Sequence, residues 1–436
     1  MKWLVFALIA IAVALVMNLP VLAFAVVVGL SVFGVTGWLT NRWTSQITGH
    51  RKWSHETAEV GQLVTAIVEV RNAGTLPIAW MLVEDLVPAD QPKSARPRIV
   101  LHGSRLKVAR LRPGETTQII YQVECLYRGF YQLGPIVAET GDYYGLQRSY
   151  RILGQPNYLL VHPKVIRIEN YDIQSRRPIG EVVMTHRLFE DPTRISGVRQ
   201  YQDGDPLTRI HWRATARTGQ LQSKQFQPSS MSGATIVLDF HAPSYDPKHE
   251  PYRSELGITA AASIANALHE MNQQFGFISN GLDAADRVRT EGWIGDARTR
   301  DIAQQHVVLQ GKLDRMQPVV VPTRKSGDQI RQVLELLARL ELNEGLTVAQ
   351  LIWESSERMP ADASVIVLLA QPTLEAAIAL GTLRRQGRAV TAIINSHDHE
   401  HFVKSSSILL GEGIESHMLS DDQSIATICR SQKLPR

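Results

Sequence analysis

Residues 364–394 read "SVIVLLAQPTLEAAIALGTLRRQGRAVTAII". A short apolar run at 364–370 is followed by a helix-length segment at 373–387, then by a second apolar run at 388–394. The pattern predicts strand, helix, strand. Apolar strands joined through helices predict a parallel sheet covered on both faces. The same alternation extends upstream. "ATIVLDF" at 234–240 reads as a buried strand. In "SELGITAAASIANALHEMNQQF", Leu256, Ala260, Ile264, Ala267, Leu268 and Met271 recur at the helical period. "FGFIS" is a further strand, and "DQIRQVLELLARL" carries Ile330, Val333, Leu334, Leu337 and Leu340 on one stripe. Residues 231–436 therefore read as a doubly wound α/β domain. Ligands of such folds sit at the carboxyl ends of the strands.

Before residue 165 the pattern changes. "EVGQLVTAIVEVRNAG" alternates apolar and polar residues and ends in a turn. "TTQIIYQVECLYRGFYQLGPIVAETGDYYG" and "YLLVHPKVIRI" supply more short strands between Gly and Pro turns. Short alternating runs with such punctuation predict an antiparallel β-sandwich over 54–165. Residues 166–230 read as a connector.

The chain of 436 residues has 44% hydrophobic and 20% charged residues, which suits a folded protein of two or three units. Its net charge of +4 is too small to imply a nucleic-acid partner. Two cysteines, Cys125 and Cys429, make neither a disulfide framework nor a zinc ribbon. Cys125 reads as a buried strand residue. From Trp3 to Asn41 no residue is charged. One bilayer crossing needs roughly 20 apolar residues, and Asn18-Leu19-Pro20 interrupts this run. The run predicts a transmembrane hairpin within residues 1–45, its first span over Trp3–Met17. Trp3, Trp38 and Trp43 suit the two interfaces. Lys2 on one flank and Arg42, Arg51 and Lys52 on the other place both flanks in the cytoplasm. A signal peptide cleaved near Ala23-Phe24-Ala25 ranks lower, because the residues after it remain apolar.

Residues 197–226, "GVRQYQDGDPLTRIHWRATARTGQLQSKQF", are the most patterned polar segment. Tyr201, Gly204, Asp205, Arg209, Trp212, Arg213, Arg217 and Lys224 form the candidate partner or architecture motif. The guanidiniums suit phosphates and Trp212 suits base stacking. Asp203 and Asp205 interleave with the arginines, however, so a paired network anchored by Trp212 outranks a nucleic-acid site. Catalysis ranks lower still. The chain has no Lys-Ser/Thr phosphate loop, no Gly-x-Ser-x-Gly, no His-Glu-x-x-His and no Cys-x-x-Cys.

These residues resemble the signature of the domain-of-unknown-function 58 family, close to Y-x-x-G-D-x-x-R-x-I-D/H-W-x-x-x-A-R. Arg128–Pro135, "RGFYQLGP", and Asp142–Leu146, "DYYGL", resemble two further family elements, with tyrosines standing for Pro and Phe in the second. The resemblance implies a two-span anchor, a β-rich segment and a von Willebrand factor A-like domain. The family has no settled biochemical activity, and its members are associated with assembly or envelope-related work, so together with the flanking charges the expectation is a membrane-anchored, non-enzymatic adaptor at a bacterial inner membrane, its soluble domains facing the cytoplasm. The implied partners are a MoxR-type AAA+ ATPase and a transglutaminase-like membrane protein.

A competent A-domain metal site begins Asp-x-Ser-x-Ser at the first strand tip, giving hard oxygen ligands for magnesium. This chain has Asp239-Phe240-His241-Ala242-Pro243 there, and Gln371 where another aspartate is expected. The site reads as degenerate. His397, His399 and His401 in "SHDHEH", with Asp239 and His241, are the alternative candidates for a divalent metal. The second function class they suggest is a metal-dependent hydrolase or metal sensor. A solvated loop is the plainer reading of 396–401.

Overall fold

A computed structural model describes residues 20–87, 98–143, 145, 147–168, 190–201, 210–228, 233–286, 317–360 and 363–427. The first predicted span at Trp3–Met17, the cleavage alternative's basic region, Asp203, Gly204, Asp205, Arg209 and Cys429 lie outside the described residues. The chain divides into two compact units. One comprises Met1–Lys164, Gly281–Met316 and Leu334–Gly345. The other comprises Val165–Asn280, Gln317–Val333 and Leu346–Arg436.

The first unit opens with helix α1, Pro20–Gln46. It is long and apolar enough to cross a membrane. Val21, Phe24, Val35 and Trp38 on it are exposed. The helix does not stop where the apolar run stops. Its last turns enter the β-rich core, where Trp43 is 4% exposed and Leu39 packs alongside. Trp43 is therefore a core residue, not the interfacial residue the sequence suggested. Thr40 and Thr44 are buried with it, and the Thr44 hydroxyl donates to the Thr40 carbonyl at 2.9 Å. The last carbonyls of a helix lack intrahelical donors. Here the Arg151 guanidinium supplies them, reaching the carbonyls of Thr44 (2.9 Å), Ser45 and Ile47 (3.2 Å).

Strand β1, Ile47–Trp53, follows directly, so this unit's strands begin ahead of residue 54. β2 (Thr57–Glu59), β3 (Leu63–Asn72), β4 (Ile78–Asp85), β5 (Ile99–Gly103), β6 (Leu106–Leu111), β7 (Thr116–Cys125), β8 (Gly129–Leu133), β9 (Ile136–Gly141), β10 (Arg148–Gly154) and β11 (Asn157–His162) complete the β-rich region. Two four-stranded sheets run β1-β3-β7-β5 and β10-β9-β4-β6, and a three-stranded sheet runs β2-β11-β8. Pairing in both four-stranded sheets is antiparallel. Side chains alternate across a strand. Accordingly Val64, Ala66, Val68 and Val70 of β3, and Ile119, Tyr121, Val123 and Cys125 of β7, enter one core.

Inside that core lies a buried ion pair. The Arg51 and Asp85 side chains are 1% and 0% exposed. Arg51 Nε donates to Asp85 Oδ2 at 2.8 Å, and its Nη2 donates to Oδ1. The Tyr121 hydroxyl also donates to Oδ2, at 2.7 Å. Arg51 Nη1 reaches the Leu133 carbonyl and Asn157 Oδ1, both at 2.9 Å. Arg51 is thus spent inside the fold and is not a topology-setting surface charge. Lys52 pairs with Glu69, and Arg42 remains exposed.

The "RGFYQLGP" element has a packing explanation. Gly134 has φ +94°, and a Cβ there would stand 2.5 Å from the Arg51 guanidinium. A Cβ on Gly129 would meet the Tyr131 ring at 2.8 Å. The Tyr131 hydroxyl donates back to the carbonyls of Tyr127 and Arg128. Arg128 Nη1 donates to the carbonyls of Leu337 (2.8 Å), Ala338 (3.3 Å) and Leu340 (2.8 Å), in the 334–345 segment of the same unit.

In the second unit β12 (Glu190–Gln200) and β13 (Gln222–Pro228) pair antiparallel, with the short helix α2 (Trp212–Thr218) between them. Then come β14 (Gly233–Leu238), α3 (Tyr252–Glu270) and β15 (Gln274–Ser279). β16 (Leu282–Asp283) belongs to the first unit, where it pairs with β18. β17 (Val319–Arg324), α4 (Gln329–Arg339), β18 (Leu340–Glu341), α5 (Val348–Ser355), β19 (Ser364–Leu369), α6 (Leu374–Arg385), β20 (Val390–Asn395), α7 (His399–Gly411), β21 (Glu415–Leu419) and α8 (Asp422–Thr427) follow. The six-stranded sheet runs β17-β15-β14-β19-β20-β21. Only β17 is antiparallel to its neighbour. β14 is buried along its full length, as expected of a strand covered on both faces. Val237, Val365 and Val367 share a cluster with Ala376 and Leu380 of α6 and Leu351 of α5. α3 packs on β14, β15 and β20.

Candidate functional site

The described part of the signature motif is a tight, exposed unit. Ile210 is buried and bridges Ser223. The His211 N–H donates to the Gln222 carbonyl at 2.8 Å, and Tyr201 N–H donates to the Leu221 carbonyl at 2.9 Å. His211 is the N-cap of α2, its Nδ1 accepting from the Ala214 N–H at 3.0 Å. A side-chain acceptor there satisfies one of the orphan donors of the first turn. Thr215 Oγ1 accepts from the Gln222 N–H at 3.0 Å, tying the helix to β13. Gly219 closes the helix at φ 71°, its N–H bonded to the Thr215 carbonyl.

These bonds fix the backbone and leave the larger side chains free of it. Trp212 is 68% exposed, so it does not anchor the segment by burial as the sequence suggested. Arg213 and Arg217 are exposed as well. They are four residues apart on one helix, hence on one face. The structure brings Trp212, Arg213 and Arg217 together on α2, with Tyr201 half-buried at its foot. Lys224 lies on β13, and its side chain is outside the described residues.

The second candidate region is the carboxyl rim of the sheet. Asp239 follows β14 and is fully buried. Its Oδ1 accepts from the His241 N–H and from Asn280 Nδ2, both at 3.1 Å. Asn280 Oδ1 in turn accepts from the Phe240 N–H at 2.6 Å, and its Nδ2 also reaches the Leu346 carbonyl. Burial pushes the Asp239 carboxyl above the usual range, and the Asn280 amide and His241 N–H offset part of that rise. Beside it, Arg253 Nη1 reaches Asn395 Oδ1 (3.3 Å) and the Ser420 carbonyl (3.0 Å), while Asn395 Nδ2 donates to the Arg253 carbonyl at 2.6 Å. Asn280, Arg253 and Asn395 escaped the sequence reading. Asn280 directly follows the strand read in "FGFIS", Arg253 directly precedes the helix read from Ser254, and Asn395 directly follows the strand at 388–394.

The histidines do not converge. Residues 396–401 are not a plain loop but the start of α7, with Asp398 as N-cap accepting from the Glu400 N–H. His397 meets the ring of His249 at 4.2 Å, His399 faces Phe402 at 6.2 Å, and His401 Nδ1 lies 3.1 Å from Ser396 Oγ. Among the described residues no group of three His, Cys, Asp or Glu side chains is placed to hold a metal. The strand tip departs from the metal-competent pattern, since positions 241 and 243 are His and Pro and carry no hydroxyl, and Asp239 Oδ1 is occupied by two N–H donors. Cys125 is buried, and burial pushes its thiol up to about 11, which removes thiolate chemistry at neutral pH.

The family described as "Protein of unknown function DUF58" matches residues 197–349, the span that opens in β12 and carries α2, Asp239 and Asn280. The match is confined to that span. The uncharacterized protein YeaD of Bacillus subtilis (strain 168) is 22% identical over 195 residues, 43% of this chain. The match takes in 46% of YeaD, so the chain spans less than half the length of that relative. Among solved structures, the CARDB domain of the PF1109 protein from Pyrococcus furiosus is similar to 26% of this chain and 91% of its own length, at 16% identity and a TM-score of 0.18. A Salmonella alpha-2-macroglobulin mutant is similar to 28% of the chain and 7% of its own length, at 15% identity and a TM-score of 0.20. At such scores neither likeness carries fold or function across.

Proposed function

We propose that the protein is a membrane-anchored, non-enzymatic adaptor that works with a MoxR-type AAA+ ATPase at a bacterial inner membrane, its soluble units facing the cytoplasm. The observation that carries the reading is α2, which offers Trp212, Arg213 and Arg217 to solvent inside the DUF58 span. Trp and Arg are the side chains most enriched where interfaces concentrate their binding energy. A helix capped by His211 at one end and Gly219 at the other, and tied to β13 through Thr215, presents them on a backbone that is already ordered. The apolar helix α1 supports the anchor, and exposed Arg42 at its C-terminal end supports the cytoplasmic orientation. A mixed sheet with Asp239 at the tip of β14 supports a von Willebrand factor A-like second unit whose metal site is degenerate.

The test is co-purification from detergent-solubilised native membranes. Wild type is compared with an Arg213→Ala/Arg217→Ala variant and with Trp212→Ala, all of equal thermal stability. Loss of an anchor of this type costs about 2 kcal/mol or more, which is roughly 30-fold in affinity. An AAA+ ATPase recovered with wild type and lost from the variants supports docking on α2. An ATPase retained by every variant makes α2 architecture. Recovery of none with folded, anchored wild type overturns the adaptor reading.

A further inference from the structure

The loop joining β9 to β10 lies against the apolar helix, not against the polar end of it. The Asp142 N–H donates to the Gln147 carbonyl at 3.1 Å, closing a loop over 142–147. Gln147 Nε2 donates to the carbonyl of Phe33 on α1 at 2.8 Å. Gly37, one turn further along α1, faces the same Gln147 amide so closely that a Cβ would collide with its Oε1.

The surface of α1 beyond that contact is still apolar. Val35 and Trp38 are each 61% exposed, and Arg42 is the first charged residue after them. A tryptophan at the end of an apolar helix belongs at the headgroup level. Phe33 lies five positions before Trp38, or about 7 Å deeper at ~1.5 Å of rise per residue. The Gln147 contact is therefore on the bilayer side of the interfacial tryptophan. The loop also presents suitable groups. Tyr143 is 74% exposed, whereas Asp142 is 3% exposed and its carbonyl accepts from Trp80 Nε1 at 3.3 Å. The charge is turned inward and the amphipathic ring outward. Arg148, at the base of the loop, is exposed and stands 3.4 Å from Glu139, within reach of headgroup phosphates.

We infer that the β9–β10 loop is a second, monotopic membrane contact: Tyr143 enters the headgroup interface of the bilayer beside α1. This rests on the membrane-anchor reading of α1. With Trp43 in the β-rich core and Tyr143 in the interface, the first unit is fixed against the membrane at two places and does not swing on a tether.

The experiment uses the full chain in nanodiscs of phosphatidylethanolamine and phosphatidylglycerol, with and without a headgroup-nitroxide lipid. In a Cys429→Ser background, with Cys125 buried, single cysteines replace Val27, Trp38 or Tyr143 and carry an environment-sensitive fluorophore. The expected result is nitroxide quenching at Tyr143→Cys that matches Trp38→Cys, with protection from iodide in the buffer. Quenching at Trp38→Cys and Val27→Cys but none at Tyr143→Cys overturns the inference and leaves the anchor standing. Quenching at none of the three overturns both. A Tyr143→Asp variant gives an independent readout: its Trp38→Cys label becomes more accessible to iodide if the loop shields that interface, and is unchanged if it does not.

Discussion

Asp85→Ala leaves the Arg51 guanidinium inside the β-rich core without its carboxylate. The Arg51 side chain is 1% exposed, so water does not replace the lost partner. Removing one member of a buried ion pair costs about 3–5 kcal/mol. The Leu133 carbonyl and Asn157 Oδ1 still accept from Nη1, but Nε and Nη2 lose their acceptors. For a unit of this size each kcal/mol lowers the melting temperature by about 2–4 °C, so a fall of about 10 °C is expected. Tyr121→Phe removes one hydrogen bond to the same carboxylate and keeps the ion pair, so its cost is smaller, about 1.5–3 kcal/mol. The assay is thermal and urea unfolding of the detergent-solubilised full chain, followed by tryptophan fluorescence. Trp53 is a local reporter, its ring 5.4 Å from the Arg51 guanidinium carbon. The loss in the double variant Arg51→Ala/Asp85→Ala should be smaller than the sum of the two single-variant losses, by roughly 1 kcal/mol or more. Strict additivity, or an Asp85→Ala loss no larger than that of Tyr121→Phe, would mean that the Arg51–Asp85 pair does not stabilise the core.

Three other outcomes are expected. Arg128→Ala removes the donor shared by the carbonyls of Leu337, Ala338 and Leu340, and should cost about 2 kcal/mol and speed amide exchange in the last turn of α4, read by hydrogen–deuterium exchange. Asp239 has a folded pKa above its unfolded value of 3.8, so the folded state binds the proton more tightly and stability falls as pH rises from that value to the raised one, then levels off. Asp239→Asn keeps an acceptor for His241 and Asn280 and should flatten that dependence, checked by urea midpoints between about pH 4 and pH 8. Cys125, its thiol raised to about 11, should resist iodoacetamide near pH 8 in the folded Cys429→Ser protein and react after unfolding, checked by intact mass; labelling of the folded chain would contradict its burial.

Where one physical pattern dominated a segment, the sequence was legible. β14, β19 and β20 are buried on both faces and read as apolar runs, and α3 and α6 between strands keep the helical period. β3 and β7 alternate because one face meets the core. β1 was not legible. "ITGHRKW" has three basic or titratable residues in a row, and the one that matters is buried by a partner 34 positions away. The fusion of α1 to the β-rich core carried a faint signal: Leu39, Trp43 and Ile47 recur every four residues across the end of the apolar run. The histidine segment misled because alternate spacing looks convergent on paper. Asp398 before His399 and Glu400 was a helix-start signal, and on a helix His399 and His401 diverge. Exposure of Trp212 had no signature at all, since an arginine-rich polar segment reads the same whether its charges are paired or free.

Whether α2 docks a partner is read by site-specific photocrosslinking from position 212 in native membranes. A photoreactive amino acid replaces Trp212, which is 68% exposed and outside any packed core, so the fold is retained. After irradiation the adduct is identified by mass spectrometry. The adaptor account expects an adduct with an AAA+ ATPase, abolished by Arg213→Ala/Arg217→Ala. Adducts confined to this chain, or to nucleic acid, would contradict it.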